Sequence, residues 1–278
     1  MSLSDPVTSS FVFGASGLLG NALFRRLRSP KSGTFFTKKV SGCFRISSKN
    51  LSNAKIIKII KDYDDIYYCI ALSDPSKCTR SPNLSLELNY RLPVSIAKVC
   101  KAMNKKLILY STEYVFESHQ NYINEKAKPN NITTYSLHKI HCENEIKRIL
   151  PKTLILRCAK IINDMPGTND FLSRWKKSIK NNKKVEIFKD QKLRPVLVTD
   201  IVIWTKLLVK KNAYGIYHLA GAGETDRLRL YNKYLKKDLQ KIIKNKISLI
   251  KSPAHLPQKL RLSNRKVILK TGYSPCKI

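Results

Sequence analysis

The stretch that decides the fold runs from Ser10 to Leu27 and reads SFVFGASGLLGNALFRRL. An apolar strand sequence leads directly into three glycines spaced as GxxGxxG, and a helical sequence follows from Asn21. Glycine is needed where a chain turns sharply and where backbone must approach a phosphate closely, and a helix N-terminus presents free N–H groups to an anion. In this strand–turn–helix order the pattern predicts a dinucleotide-binding turn. The predicted contacts are Gly14, Ser16, Gly17, Leu18, Leu19 and Gly20.

Short apolar runs alternate with helical stretches along the first 160 residues. The predicted strands are Ser10–Gly14, Thr34–Lys38, Ile66–Leu72, Lys106–Ser111 and Thr153–Ile161. Apolar residues at three-to-four spacing predict a helix over Leu88–Met103, and a second helix follows the N-cap candidates Thr133 and Thr134. Such alternation indicates an α/β fold with a Rossmann-type doubly wound parallel sheet, covered by helices on both faces.

The pattern loosens after about Ile161, which predicts a smaller substrate-binding lobe over the ligand edge of the sheet. The elements predicted there are a helix at Phe171–Lys180, strands at Val185–Phe188 and Gly215–Ala220, and a basic helix at Asn232–Lys246. We expect residues 1–160 to form mainly the dinucleotide-binding domain and residues 161–278 mainly the lobe. A segment at about 190–220 is expected to return to the first domain.

The chain carries a formal charge of +34, from 53 Lys and Arg against 19 Asp and Glu. Such a field attracts anions of every kind, including nucleotide diphosphates, anionic lipid and nucleic acid. Because the basic residues are spread along the whole chain, a solvated surface is favoured and nucleic acid is disfavoured as a partner. A homodimer is compatible with the sequence but is not specified by it.

Other compositional features exclude several classes of protein. No apolar run approaches the roughly 20 residues of a membrane span. The N-terminus shows no signal-peptide pattern, so we expect a cytoplasmic protein. The seven cysteines are odd in number and form no CxxC, so neither a disulfide framework nor a metal site is expected.

The end of the second predicted strand bears on the choice of cofactor. An acid there would accept the ribose hydroxyls of NAD and repel a 2′-phosphate. Here the strand ends Phe36-Thr37-Lys38-Lys39 with no acid nearby. This favours NADP(H) over NAD(H), with Lys38 or Lys39 near the phosphate. Surface lysines on a lysine-rich protein remain the alternative interpretation.

Tyr135 and Lys139 are four residues apart near the start of a predicted helix, so they share one face. Reduction of a ketone needs a hydride on carbon and a proton on oxygen. Free tyrosine ionises only near pH 10, and an ammonium on the same face favours the phenolate. A hydroxyl at the end of a neighbouring strand could hydrogen-bond the ketone oxygen, and Thr112 is in the expected place. These three residues are the predicted catalytic set.

With these motifs the chain resembles the extended short-chain dehydrogenases, and most closely the dTDP-4-dehydrorhamnose reductase family. The matching stretches are GASGLLG at 14–20, LNYRLPVSIAKVC at 88–100, LILYSTEYVFES at 107–118, YSLHKIHCE at 135–143, LRCAKI at 156–161, RPVLVTDIV at 194–202 and GIYHLAG at 215–221. The resemblance implies a nicotinamide cofactor and reduction of a 4-keto group on a nucleotide-diphospho-6-deoxysugar, in nucleotide-sugar or surface polysaccharide biosynthesis.

Residue roles follow from the same resemblance. It makes Tyr135 the proton donor and Lys139 its electrostatic partner and ribose ligand. It implies further cofactor contacts at Ala71, Leu72 and Asn89. It implies substrate contacts at Glu113, Tyr114 and Arg194.

The chain departs from the family pattern near the sugar pocket. The family's STD is STE here, with Glu113, and Lys160 stands where an aromatic residue is often found. These departures bear on the identity of the sugar more than on the type of reaction. Two alternatives stay open: an epimerase or dehydratase on the same fold, and a non-catalytic NADP-binding subunit like the beta subunit of methionine adenosyltransferase.

Overall fold

A computed structural model describes residues 8–28, 31–47, 51–118, 121–131, 133–165, 170–181, 183–235, 247–253 and 256–278. The chain forms two compact units. The first contains Met1–Ser111, Ile132–Leu156 and Val209–Ile216, and the second contains Thr112–Asn131, Arg157–Leu208 and Tyr217–Ile278. The segment that returns to the first unit is thus shorter than the stretch of about 190–220 expected from the sequence. The roles predicted for the two parts stay predictions.

A seven-stranded sheet confirms the Rossmann-type α/β fold. Its strands are β1 (Ser10–Phe13), β2 (Lys31–Phe35), β3 (Cys43–Arg45), β4 (Asp65–Tyr68), β5 (Lys106–Thr112), β6 (Leu154–Cys158) and β11 (Gly215–Leu219). They are arranged in the order β11-β6-β5-β4-β1-β2-β3. Strand β1 pairs in parallel with both β2 and β4, so the chain order reverses on its two sides. In open α/β sheets, ligands bind at the carboxyl ends of strands beside such a reversal.

Helices connect the strands, and short strand pairs complete the second unit. The helices are α1 (Leu18–Arg26), α2 (Asn53–Ile60), α3 (Pro75–Arg80), α4 (Pro82–Leu86), α5 (Leu92–Ala102), α6 (Thr134–Ile149), α7 (Phe171–Lys180), α8 (Val198–Lys210), α9 (Arg227–Tyr234) and α10 (Arg265–Thr271). The remaining strands are β7 (Ile161–Ile162), β8 (Val185–Phe188), β9 (Lys192–Leu193), β10 (Val196–Leu197), β12 (Thr225–Asp226) and β13 (Ile247–Ile250). Among the described residues, no helix combines the length and apolarity that a membrane crossing requires.

Several element boundaries differ from the sequence-based predictions. Strand β2 begins and ends three residues earlier than expected, because its register is set by pairing with β1. Gly33 lets the two backbones approach, since a Cβ there would lie 2.6 Å from the Val12 carbonyl oxygen. The edge strand β3 was not predicted. The basic helix predicted at Asn232–Lys246 starts earlier, as α9, and residues 236–246 lie outside the described part of the chain.

Each unit has its own hydrophobic core. The first lies on one face of the sheet and is built by apolar side chains of the strands and of helices α2, α5 and α6, with Phe11, Ile66 and Leu107 fully buried. The second surrounds helix α7 and strand β8 and includes Ile179 and Ile187. Burial of apolar surface is the main stabilising contribution in both.

The close packing of Gly20, in α1, against the Gly14 carbonyl can be tested by substitution. Alanine inside a helix normally raises stability by about 0.4–1 kcal/mol over glycine. At Gly20, however, a Cβ would lie well under 3.0 Å from the carbonyl group of Gly14, which is backbone and cannot rotate away. We therefore expect Gly20→Ala to lower the free energy of unfolding by about 1–3 kcal/mol in urea denaturation. Gly223→Ala is the control, because a Cβ there meets nothing within 4 Å; equal stability of the two variants would contradict the packing.

Candidate active site

The glycine turn follows β1 directly and leads into α1. Gly14 has φ +86°, a conformation that side chains rarely adopt, and its N–H donates to the Thr34 hydroxyl at 3.1 Å. Gly17 closes the turn by donating to the Gly14 carbonyl at 3.0 Å. Gly17 is also the N-cap of α1, is exposed, and has no side chain to cap the helix. The start of α1 is therefore shaped to accept an anionic group such as a pyrophosphate.

The two lysines predicted to select the cofactor lie in the bend after β2, and both are exposed. A third cation stands near them. Arg45 of β3 donates through Nε to the Phe36 carbonyl at 3.0 Å. Sequence reasoning missed Arg45 because β3 was not predicted. Lys38, Lys39 and Arg45 thus all lie at or near the carboxyl end of β2.

Leu72 and Asn89, two predicted cofactor contacts, are brought together in the first unit. Asn89 is fully buried in a π-helical turn at Glu87–Arg91, a deviation that is frequent at functional sites. Its Nδ2 donates to the Leu72 carbonyl and to the Ser85 hydroxyl, each at 3.1 Å. The buried amide therefore holds the backbone that follows β4. Ala71 is exposed in the same segment.

Helix α6 carries the predicted tyrosine and lysine. Thr133 caps the helix by accepting from the Ser136 N–H at 3.3 Å, which confirms the predicted helix start. Tyr135 and Lys139 are 5% and 1% exposed. The Lys139 ammonium donates to the Tyr110 carbonyl on β5 at 2.7 Å. A lysine this deeply buried needs such a partner, and the bond fixes its ammonium one helical turn from Tyr135.

A second bond joins α6 to β5. The Ser111 hydroxyl donates to the Glu143 carboxylate at 2.5 Å, and Glu143 is 1% exposed. Glu143 lies one turn beyond Lys139 and interrupts the apolar pattern of the helix. That interruption was visible in the sequence and could have identified Glu143 as a structural partner.

Thr112 is the last residue of β5 and belongs to the second unit. Its hydroxyl oxygen accepts from the Tyr114 N–H at 3.2 Å, so it caps the 3₁₀ turn Glu113–Val115. The Thr112 side chain is thereby fixed at the carboxyl end of the strand. Its catalytic role stays a prediction.

Glu113 is 1% exposed, and its Oε2 has no hydrogen-bond partner among the described residues. Burial raises the pKa of this carboxyl to about 8. Three weaker influences act the other way: the Lys160 ammonium, a hydrogen bond from the Lys160 N–H, and the Arg227 guanidinium. Glu113 is thus a largely neutral acid at neutral pH. The sequence departures at Glu113 and Lys160 are neighbours in the structure, which spacing along the chain could not reveal.

Arg194, a predicted substrate contact, is engaged within the second unit. Its Nη1 donates to the Leu262 carbonyl at 2.5 Å and its Nη2 to the Ala222 carbonyl at 3.3 Å. Its guanidinium also lies 5.0 Å from the centre of the Tyr122 ring. These contacts give Arg194 a structural role, and its contact with substrate stays a prediction.

The raised pKa of Glu113 predicts a pH dependence of stability. Between about pH 4.5 and 8 the folded chain holds a proton that the unfolded chain releases, so this group lowers the free energy of unfolding as pH rises. Glu113→Gln keeps a neutral side chain of the same size and removes this slope, which is at most about 1.4 kcal/mol per pH unit. In urea unfolding at pH 5, 6.5 and 8, the free energy of unfolding of the variant should increase relative to that of the parent as the pH rises.

Glu186→Gln is the matched control, because Glu186 is exposed on β8. Its curve should run parallel to the parent's over the same pH range. A parallel curve for Glu113→Gln as well would contradict the buried neutral acid.

Curated proteins of known name resemble this chain over half of its length or more. A probable low-salt glycan biosynthesis reductase, Agl14 of Haloferax volcanii, is 25% identical over 76% of this chain and 74% of its own length. The beta subunit of methionine adenosyltransferase 2 from Danio rerio is 27% identical, but the match covers 55% of this chain and only about half, 47%, of that protein.

The fold is also found among solved structures. The dTDP-4-dehydrorhamnose reductase of Bacillus anthracis, solved in complex with NADP, superposes with a TM-score of 0.79 at 18% identity and covers 98% of this chain and 95% of its own. The sequence model of the RmlD substrate binding domain matches residues 9–277. With nearly its whole length matched, the chain belongs to the RmlD substrate binding domain family.

Proposed function

We propose that the chain is an NADPH-dependent reductase that reduces a keto group, at C4 in the pattern of its family, on a nucleotide-diphospho-sugar. The observation that carries the proposal is the buried pair on α6: Tyr135 lies one turn from Lys139, whose ammonium is fixed on the Tyr110 carbonyl at 2.7 Å. Family membership and the relative named as a glycan biosynthesis reductase support the same reaction type.

Each residue of the predicted set has a distinct task in this proposal. Tyr135 donates a proton to the ketone oxygen as the hydride reaches the carbon. The Lys139 ammonium stabilises the phenolate that remains, and it would hydrogen-bond the ribose of a bound cofactor. Thr112 hydrogen-bonds the ketone oxygen and stabilises the charge that develops there. A bound nicotinamide cofactor supplies the hydride.

The cofactor itself fits the residues of the first unit. The uncapped start of α1, the left-handed Gly14 and the close approach at Gly20 suit a pyrophosphate. We propose NADP(H) in preference to NAD(H), because Lys38, Lys39 and Arg45 lie at or near the carboxyl end of β2, where a 2′-phosphate would be bound.

A second candidate function is supported by relatives that are named as a subunit rather than as a reductase. The beta subunit of methionine adenosyltransferase 2 shares 27% identity over 55% of this chain, and a non-catalytic subunit of that kind would bind NADP without consuming it. An epimerase or dehydratase would likewise show no net oxidation of NADPH. Steady oxidation of NADPH with a 4-keto sugar nucleotide separates the reductase from both alternatives.

Tyr135→Phe tests the proton donor. The change removes only the phenolic hydroxyl, so we expect kcat with NADPH and dTDP-4-dehydrorhamnose to fall by about 10²–10⁴. NADPH affinity, measured by fluorescence titration, should change by less than about threefold, because a single neutral contact contributes little. Tyr214→Phe is the control, since Tyr214 is 61% exposed. Normal turnover of the Tyr135→Phe enzyme would refute the assignment.

Replacing both lysines after β2 tests the cofactor preference. Lys38→Glu with Lys39→Glu reverses the charge near the ribose, so the dissociation constant for NADPH should rise by at least about tenfold while that for NADH changes little. Lys152→Glu with Lys211→Glu, at two exposed lysines after α6 and α8, makes the same change in overall charge and is the control. An equal loss of affinity for NADPH and for NADH would show that these lysines do not face a 2′-phosphate.

A further inference from the structure

Two departures from the family pattern meet in the second unit. The resemblance described from the sequence implies an aspartate at the position of Glu113 and, often, an aromatic residue at that of Lys160. In the structure the Lys160 N–H donates to the Glu113 carboxyl, and the Lys160 ammonium is the strongest charge acting on that carboxyl. Because the two changes are in contact, they form one altered patch.

Further cations belong to the same patch. The Lys160 ammonium lies 4.9 Å from the centre of the Phe171 ring, and the Arg227 guanidinium lies 5.8 Å from the same ring and 5.1 Å from that of Phe188. Arg227 is held by its Nε, which donates to Gln191 at 2.6 Å. Burial lowers the pKa of Arg227; Tyr114 and Glu113 act the other way, and repulsion from Arg174 adds a smaller lowering. Like charges are therefore gathered around one aromatic ring.

Glu113 contributes little negative charge beside these cations. Glu113 is buried and keeps its proton over most of the neutral range. Lys160 and Arg227 are each only partly exposed, so water screens their charges incompletely. Two incompletely screened cations at one aromatic ring are stabilised when an anion binds beside them.

The position of the patch points to the sugar ring. Glu113 follows Thr112, which the proposed function places on the reacting ketone, and consecutive Cα atoms are about 3.8 Å apart. Lys160 hydrogen-bonds Glu113 and follows β6 by two residues. With Thr112 on the reacting ketone, as the proposed function has it, these cations belong to the sugar end of the substrate rather than to its nucleotide end.

We propose that Lys160 and Arg227 bind an anionic substituent on the sugar, so that the substrate is an acidic keto-sugar nucleotide, a carboxylate being the simplest such group. This inference rests on the proposed function and narrows its substrate class. Lys160 contributes the ammonium nearer to Glu113. Arg227 contributes a planar guanidinium already positioned by Gln191, which suits a carboxylate.

The test compares two pairs of ligands that differ by one carboxylate: UDP-glucuronic acid with UDP-glucose, and dTDP-glucuronic acid with dTDP-glucose. Titration calorimetry with NADP-saturated protein should show the acidic member binding at least about tenfold more tightly in one pair. Lys160→Met should weaken binding of the acidic sugar nucleotide by about 10- to 100-fold and binding of the neutral one by less than threefold. Lys160→Arg should retain most of the preference.

Lys211→Met, at an exposed lysine after α8, is the control, and thermal unfolding midpoints verify that each variant is folded. If Lys160→Met does not fold, the inference is tested by the parent protein's preference for the acidic sugar nucleotide and by the loss of that preference in Arg227→Met. Equal weakening of acidic and neutral sugars would place these cations on the diphosphate and overturn the inference, as would a parent protein without preference. Absence of binding by all four ligands, with no oxidation of NADPH by keto sugars, would refute the proposed function as well.

Discussion

The contact between the two ends of the glycine turn is the constraint on which the dinucleotide-binding geometry depends. Helix α1 can begin directly after β1 only if Gly20 packs against the carbonyl of Gly14, and no side chain fits between them. This approach aims the N-terminus of α1 back toward the carboxyl end of the sheet. The sheet reverses its strand order at β1, so the same point becomes the binding edge. Backbone sterics thus select the position of the ligand before any side chain contributes.

Helix α6 is positioned by a different kind of interaction. Lys139 and Glu143, one turn apart on α6, each bond to β5 in the first unit, through the Tyr110 carbonyl and the Ser111 hydroxyl. Buried charged groups contribute little net stability, but they tolerate few alternative arrangements because an unpaired partner is costly. This pair of bonds therefore restricts how α6 can slide or rotate on the strand. The orientation of Tyr135 is specified by the same restriction.

The elements with strong local signals were predictable from sequence. The GxxGxxG turn, the alternation of strands and helices, and the N-cap at Thr133 each depend on residues close together in the chain. The strand ends were less predictable, because β2 takes its register from pairing with β1. Edge strand β3 has only three residues and little apolar pattern of its own. The contact of Glu113 with Lys160 joins positions 47 residues apart, and no periodicity encodes such a separation.

The positive charge of the whole surface and that of the pair Lys160 and Arg227 have different consequences for binding a nucleotide sugar. Several of the 19 acids are committed to the fold, either as helix N-caps or as buried side chains. They include Asp74, Asp170, Asp226, Asp65, Glu113, Glu143 and Asp200. The surface is consequently at least as basic as the composition indicates. Such a field attracts every nucleotide sugar, since all of them carry a diphosphate, and salt screens it. It cannot distinguish one sugar from another. Discrimination needs cations that are partly desolvated and close to the sugar ring. Lys160 and Arg227, beside a neutral Glu113, are partly desolvated, and the proposed substrate class depends on their lying close to that ring.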